Sequence, residues 1–216
     1  MENLSKDEPL KPRNYQAVVV GVSAGGLDVL KFLLESLPAE FDPAVVIVQH
    51  MHPQQSDFLI EHLNKLCRLP VKEAEEKEAV RGGVVYLAPA NYHLLIEMDK
   101  TFSLSTDEKV NFSRPSIDVL FETAAEVYGA QLIGIIFTGA SRDGAAGLRR
   151  IKDSAGLTIV QNPATSEFPA MPQAALEETQ VDHVLNVDRI SELLSELASH
   201  ACTAGNHRGK DPWPKF

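Results

Sequence analysis

The chain has 216 residues, of which 44% are hydrophobic and 23% charged, a composition typical of a globular domain. Its formal net charge of −10 at pH 7 argues against non-specific binding to nucleic acid or to an anionic membrane surface, because both require a basic surface. No stretch approaches the length of about 18 uncharged apolar residues that suggests a membrane span, and the N terminus lacks a secretory signal. The chain has only two cysteines, so we expect no disulfide framework and a cytoplasmic location. Without an apolar span, we also expect no direct membrane insertion.

Short apolar runs alternate with helical patterns along the chain. This alternation predicts an α/β fold with a largely parallel, doubly wound sheet. We expect a flexible leader at 1–15, one domain at 16–200 and a polar tail at 201–216.

The first predicted strands lie at about 17–21 and 44–48. Both are wholly apolar, as in strands that are covered on both faces of a sheet. Each is followed by a helical pattern, and the first of these helices carries one apolar stripe formed by Leu27, Leu30, Leu34 and Leu37.

The middle of the chain predicts a small antiparallel hairpin. Strand-like patterns cover 84–87 and 93–105, and Asp99-Lys100 is a suitable hairpin tip. The remaining predicted elements are a helix from Ile117, a strand at 132–137, a helix around Leu148, a strand at 157–160 and a last helix around Leu193.

Three side chains with complementary chemistry follow three of the predicted strands. They are Ser23, His50 and Asp143. In an open parallel sheet, sites form just beyond the carboxyl ends of the strands. An alcohol, an imidazole that takes its proton and a carboxylate that orients the imidazole are the parts of acyl-transfer catalysis. The sequence therefore predicts a serine-nucleophile triad at one edge of the sheet.

The hexapeptide GVSAGG at 21–26 has two interpretations. Its first five residues fit the nucleophile elbow G-x-S-x-G, in which glycines permit a sharp turn from strand to helix. Alternatively, Gly25 and Gly26 only allow the helix to pack closely. The dinucleotide fingerprint G-x-G-x-x-G fails, because Ser23 stands where the second glycine belongs.

Each of the other two candidates also has an alternative. His52 competes with His50 as the base, although His50 is nearer the strand end. Asp143 could be only the N-cap of the helix that starts near Ala145. The order Ser, His, Asp disfavours a standard α/β-hydrolase, in which the acid precedes the histidine. No paired Cys/His spacing supports a metal site, so neither a metal nor another cofactor is expected.

Several separated motifs occur together in one order and carry a resemblance to a known family. The stretch from about 16 to 195 resembles the catalytic domain of chemotaxis protein-glutamate methylesterases of the CheB type. The matching pieces are GVSAGG at 21–26, VQHM at 48–51, GVVYLAP at 83–89, RPSIDVLF at 114–121, TGASRDGA at 138–145 and Met171-Pro172.

The resemblance implies a serine hydrolase that removes methyl esters from glutamate side chains on the cytoplasmic helices of chemoreceptors. Some relatives also deamidate glutamine at the same positions. It implies the following roles: nucleophile Ser23, base His50, its partner Asp143, backbone oxyanion donors at Ala24 and Ala140, and substrate-rim residues Gln49, Arg114 and Met171.

The resemblance also raises the question of control. Typical relatives carry an N-terminal receiver domain, which a leader of 15 residues is too short to form. We therefore expect no control by that route, control by a separate response regulator, or a role in another signalling system. Two alternative functions stay open at this point: a non-catalytic module that binds a signalling partner, and an esterase or amidase for another small substrate.

Overall fold

Strands and helices alternate along the chain in the computed structural model, which describes residues 14–50 and 56–204, without the side chains of 56–58 and 197–204. The strands are β1 (Ala17–Val22), β2 (Ala44–Gln49), β3 (Val71–Glu73), β4 (Val85–Leu87), β5 (His93–Ile96), β6 (Phe102–Ser105), β7 (Leu132–Ile136), β8 (Leu157–Gln161) and β9 (His183–Leu185). The α-helices are α1 (Gly26–Ser36), α2 (Ser56–Leu66), α3 (Ile117–Tyr128), α4 (Ala145–Asp153), α5 (Ala170–Glu178) and α6 (Val187–Ala204).

The main sheet has the strand order β3-β4-β2-β1-β7-β8-β9, and every pair in it is parallel. Strands β5 and β6 form a separate antiparallel pair, joined by a turn that contains Asp99 and Lys100. The predicted α/β architecture, with a largely parallel sheet and a small hairpin, is confirmed.

Two apolar layers cover the two faces of the sheet. Alternate side chains of β1 divide between them: Val18 and Val20 pack with α1, α2 and α6, whereas Ala17 and Val19 pack with α3, α4 and α5. A strand buried on both faces has no polar positions, which is why β1 reads as a continuous apolar run.

The order of the strands determines where a site can form. From β1 the chain first adds β2, β3 and β4 on one side, and later returns to build the other half from β7. Neighbouring helices therefore diverge beyond the carboxyl ends of β1 and β7, and ligands bind in such crevices. In the register of the sheet, Gly21 pairs with Val48 on one side and with Ile136 on the other. The segments that follow these three strands consequently emerge side by side.

The structure differs from the sequence-based expectations at several places, and one helix, α5, was not predicted. Strands β3 and β9 were not predicted, because three residues at each end of the sheet are too short to show a period. Leu27 was expected on the buried stripe of α1 but is 45% exposed. It lies in the first turn of that helix and faces a cavity at the edge of the sheet rather than the core.

The expected leader at 1–15 and the expected tail at 201–216 fall largely outside the described residues, as does His52. Tyr15, expected in the leader, is buried in the core, and α6 continues to Ala204 within the segment expected to be the tail. In the part of the chain that the structure describes, no helix has the length and hydropathy needed to cross a membrane.

Candidate active site

Ser23 lies at the turn between β1 and α1. Its N–H donates to the carbonyl of Thr138 (3.0 Å), and its own carbonyl accepts from the N–H of Gly26 (3.0 Å). Gly25 has a φ of +72°, a left-handed conformation that strains other residues. A Cβ on Gly26 would lie 2.2 Å from Cγ2 of Val22. The glycines therefore serve both predicted purposes, since one permits the sharp turn and the other permits the close start of the helix.

His50 is the first residue after β2, at the same level of the edge as Ser23. Its N–H donates to the carbonyl of Val22 (3.1 Å), which continues the ladder between the two strands. Nε2 of its ring lies 2.9 Å from Oδ2 of Asp143, and its side chain is 15% exposed. Because an ionised carboxylate only accepts, Nε2 carries the proton and Nδ1 of the neutral ring is left as an acceptor.

Asp143 is completely buried and is surrounded by donors. Besides His50, it accepts hydrogen bonds from the Ser116 hydroxyl (2.7 Å) and from the N–H groups of Ile117 (2.7 Å) and Asp118 (3.2 Å). Burial by itself raises the pKa of this carboxyl, but its hydrogen bonds, first that of His50, outweigh burial and hold the pKa below its usual range. Asp143 is therefore ionised at neutral pH.

The alternative role of Asp143 as the N-cap of α4 is wrong. The N-cap of that helix is Gly144, which has a φ of +97° and makes no side-chain cap. Asp143 instead accepts from the first two N–H groups of α3, so its negative charge lies at the positive end of that helix dipole.

A second buried carboxylate, Asp118, adjoins the first. It accepts hydrogen bonds from the N–H of Gly147 in α4 (2.7 Å) and from Nδ2 of Asn111 (2.7 Å). The same Nδ2 of Asn111 lies 3.4 Å from Oδ1 of Asp143. Burial raises the pKa of Asp118 to about 6; the Gly147 N–H opposes this effect and the charge of Asp143 adds to it.

Gln49 and Thr138 hold the serine turn in place from both sides. Nε2 of the Gln49 side-chain amide donates to the carbonyls of Ser23 (3.0 Å) and His50 (3.1 Å). The Thr138 hydroxyl donates to the carbonyl of Ala24 (3.1 Å). Gln49, expected at the substrate rim, thus also supports the turn.

The predicted oxyanion donors, Ala24 and Ala140, flank Ser23. Within residues 14–50 and 56–204, the N–H of neither one donates to a protein acceptor. Ala24 lies just before α1, where the helix dipole favours negative charge. Ala140 follows Gly139, which packs directly against Ser23. A Cβ on Gly139 would lie 2.9 Å from the Cβ of Ser23.

The substrate-rim role expected of Arg114 and Met171 stays a prediction; a Cβ on Gly139 would meet both Sδ of Met171 and Cβ of Ser23, so Met171 lies close to the serine. The Arg114 guanidinium donates to the carbonyls of Thr106 (2.6 Å) and Asp107 (2.8 Å) and so fastens the segment before α3. Met171 is buried, and its N–H donates to the carbonyl of Gly139 (2.9 Å). Neither side chain lines the cavity at the site.

A cavity of about 750 Å³ opens beside Ser23 and His50. It lies on the side of the sheet covered by α1 and α2, and Leu27, Lys31 and His62 are among its lining residues. Its volume suits a side chain or a small ester. In the described part of the chain, no group of three His, Cys, Asp or Glu side chains is arranged to hold a metal ion.

Comparison with known proteins identifies the family. The sequence model described as CheB methylesterase matches residues 18–194. The chain belongs to the CheB methylesterase family. A crystal structure of the Thermotoga maritima CheB methylesterase catalytic domain superposes with a TM-score of 0.81 at 36% identity, covering 85% of this chain and 98% of that one.

Relatives of this CheB-family chain have consistent names. A protein of Leptospira interrogans, provisionally named protein-glutamate methylesterase/protein-glutamine glutaminase, is 55% identical over 184 residues, which are 85% of this chain and 95% of that protein. The protein-glutamate methylesterase/protein-glutamine glutaminase of Archaeoglobus fulgidus is 38% identical over 178 residues, 81% of this chain but 51% of that protein. The chain thus corresponds to about half the length of the second relative.

Sequence reasoning missed two supporting residues of this CheB-family site. Asn111 was not considered, and Asp118 was noted only as part of a motif. Neither stands at the end of a strand, so the rule that identified Ser23, His50 and Asp143 could not find them. The motif that contains Ser116 and Asp118 was the only available signal.

Proposed function

We propose that the protein is a serine hydrolase that converts glutamate methyl esters on chemoreceptor helices to carboxylates and methanol. The observation that carries the proposal is the hydrogen bond of 2.9 Å between His50 and a buried, ionised Asp143 at the edge where Ser23 begins the turn into α1. The names of the relatives support the choice of substrate. Because these receptor helices are cytoplasmic, we propose the same location for the enzyme.

The proposed mechanism assigns the proton transfer to one ring atom. Since Nε2 of His50 faces Asp143, Nδ1 is the nitrogen available to accept the proton of Ser23. Oγ of Ser23 then attacks the ester carbonyl, and a bond forms between Oγ and the carbonyl carbon. The negative charge of the resulting tetrahedral oxygen is stabilised by the N–H groups of Ala24 and Ala140 and by the dipole of α1.

The intermediate collapses with loss of methanol, whose oxygen receives the proton held by His50. A water molecule, deprotonated by Nδ1 of the same ring, then attacks the acyl-enzyme. The bond between Oγ and the carbonyl carbon breaks, Oγ of Ser23 takes the proton back from His50, and the glutamate side chain is released. Asp143 stays ionised throughout and orients the ring. A glutamine side chain follows the same steps with ammonia as the leaving group, which is the second activity that the names of the relatives state.

Release of methanol from a methylated cytoplasmic receptor fragment tests this proposal. We expect Ser23→Ala and His50→Ala each to reduce turnover by about 10⁴- to 10⁶-fold. Ser36→Ala is a matched control, because that serine lies at the other end of α1 and its hydroxyl donates to the Leu33 carbonyl of its own helix.

A fluorophosphonate probe separates the alternative functions. An activated Ser23 forms a covalent adduct that is absent from Ser23→Ala and retained in Ser36→Ala. Absence of the adduct from the wild-type protein would indicate a non-catalytic binding module. An adduct without methanol release would indicate an esterase or amidase for another substrate.

A further inference from the structure

A tight turn beside the catalytic carboxylate has an unusual residue at its tip. The N–H of Val110 donates to the carbonyl of Ser113 (3.2 Å) and the N–H of Ser113 donates back to that of Val110 (2.9 Å). The two central residues, Asn111 and Phe112, have φ values of +48° and +63°. Two left-handed residues in succession are typical of a type I′ turn, in which glycine is favoured at the second position. We call residues 110–113 the Phe112 turn.

Phe112 gains nothing from the fold that offsets this conformation. A bulky residue with positive φ is strained, and such strain persists where it serves a function. The Phe112 side chain is 96% exposed, so its ring packs against almost nothing in the described part of the chain. A fully exposed aromatic ring in a strained conformation suggests an interaction with another molecule.

The Phe112 turn is anchored to the catalytic machinery. Nδ2 of Asn111 donates to Asp118 (2.7 Å) and lies 3.4 Å from Oδ1 of Asp143. On the other side of the turn, Arg114 binds two carbonyls of the preceding segment. These contacts fix the position of Phe112 relative to Asp143, and an anchor that is held in place before binding loses little conformational entropy on binding.

The position of the turn indicates a large binding partner. The cavity beside Ser23 lies on the side of α1 and α2, whereas the Phe112 turn precedes α3 on the other side of the sheet. Phe112 does not line that cavity, so a small ester bound there would not need to contact the ring. A helix that lies across the edge of the sheet and inserts one side chain beside Ser23 would reach both sides.

We propose that Phe112 is a specificity residue that docks on an apolar side chain of the receptor helix beside the target glutamate. This inference rests on the proposed function, because it assigns a second contact to the same substrate. Leu27, which lines the cavity, and Phe168, whose carbonyl accepts from the N–H of Gly139, are further exposed apolar side chains at this edge.

The test compares two substrates with the full chain: a methylated cytoplasmic chemoreceptor fragment and p-nitrophenyl acetate. Burial of a phenyl ring on binding corresponds to a change of about 10- to 100-fold, so Phe112→Ala should lower kcat/KM for the fragment by that factor, mainly through KM. Hydrolysis of p-nitrophenyl acetate should stay within about twofold of the wild type. Phe112→Trp should retain activity on the fragment.

Two further variants separate docking from stability. Phe112→Gly removes the backbone strain, so it should raise the Tm by about 2–4 °C while losing activity on the fragment as Phe112→Ala does. Met98→Ala is the matched control: Met98 is 74% exposed, but its hairpin contacts Gln16 through Lys100 at the opposite edge of the sheet. Met98→Ala should leave kcat/KM unchanged for both substrates.

The outcomes distinguish this proposal from the proposed function. Equal loss on both substrates in Phe112→Ala would mean that the turn only supports the triad, and unchanged kcat/KM for the fragment would also overturn the docking role. Unchanged kcat/KM combined with weaker binding of a response regulator would assign the turn to that regulator instead. Failure of the proposed function is separate, because the wild-type protein would then release no Ser23-dependent methanol.

Discussion

Asp143 joins His50 to the start of helix α3. Its Oδ2 lies 2.9 Å from Nε2 of His50 and 2.7 Å from the N–H of Ile117, the first residue of that helix. The carboxylate that orients the imidazole is thus itself held by a helix N terminus. Helix α3 therefore has a part in the proposed chemistry, although none of its side chains acts on the substrate in the proposed mechanism.

Asp143→Asn should impair catalysis much more than the loss of any one of its other partners. The amide carries no charge to stabilise the imidazolium and can favour the wrong tautomer of His50, so we expect kcat to fall by about 10³- to 10⁴-fold. Ser116→Ala removes a single hydroxyl donor and should cost about tenfold or less. Turnover of p-nitrophenyl acetate, with circular dichroism to verify folding, measures both. A kcat of Asp143→Asn close to that of the wild type would contradict the assigned role.

Asp118 should make the protein less stable as pH rises, whereas an ordinary ion-paired aspartate makes a protein more stable as pH rises. Its pKa is raised from 3.8 to about 6, so between these values the folded state keeps a proton that the unfolded state has lost. The wild type therefore loses stability as pH rises through this range, by up to about 3 kcal/mol at neutral pH.

Asp118→Asn lacks this titration. Urea unfolding at pH 4 to 8 should show the difference in unfolding free energy between the variant and the wild type moving in favour of the variant as pH rises, and levelling above about pH 7. Any constant cost of the altered hydrogen bond to Asn111 leaves the slope unchanged. A difference that is independent of pH would show that the burial of Asp118 does not shift its titration.

Gly25→Ala should destabilise the turn that holds Ser23. An alanine at a φ of +72° costs about 1–2 kcal/mol of unfolding free energy. Its Cβ would also lie 2.6 Å from Oε2 of Glu167, a contact that a moving side chain can relieve. In the double variant with Glu167→Ala the contact with the carboxylate disappears, and only the Cβ of residue 167, at 3.0 Å, stays together with the backbone cost. Urea unfolding compares the double variant with Glu167→Ala alone. Equal unfolding free energies would show that glycine is required at position 25 because of crowding and not because of its φ.

The elements that the sequence predicted are those whose signal is local. Strands β1, β2, β7 and β8 are covered on both faces, so each one is a largely apolar run with a recognisable end, although β8 contains the buried Thr158. Strands β3 and β9 are three residues long and lie at the ends of the sheet, where no pattern distinguishes them from loops. A local pattern also suggested that Asp143 is the N-cap of the helix that starts at Ala145. That interpretation is wrong, because the N-cap is Gly144 and the partners of Asp143 lie far away in the sequence.

The sequence by itself determined the parallel sheet, the glycine turn around Ser23 and the presence of an alcohol, an imidazole and a carboxylate beyond three strand ends, because periodicity and chain order suffice for these. Only the tertiary structure decided how the carboxylate is satisfied. Asn111, Ser116 and Ile117 lie 26 to 32 residues from Asp143 along the chain and reach it only after α3 has packed beside α4. Hydrogen bonds of this kind depend on directions and distances in space, which a linear pattern of residue types does not contain.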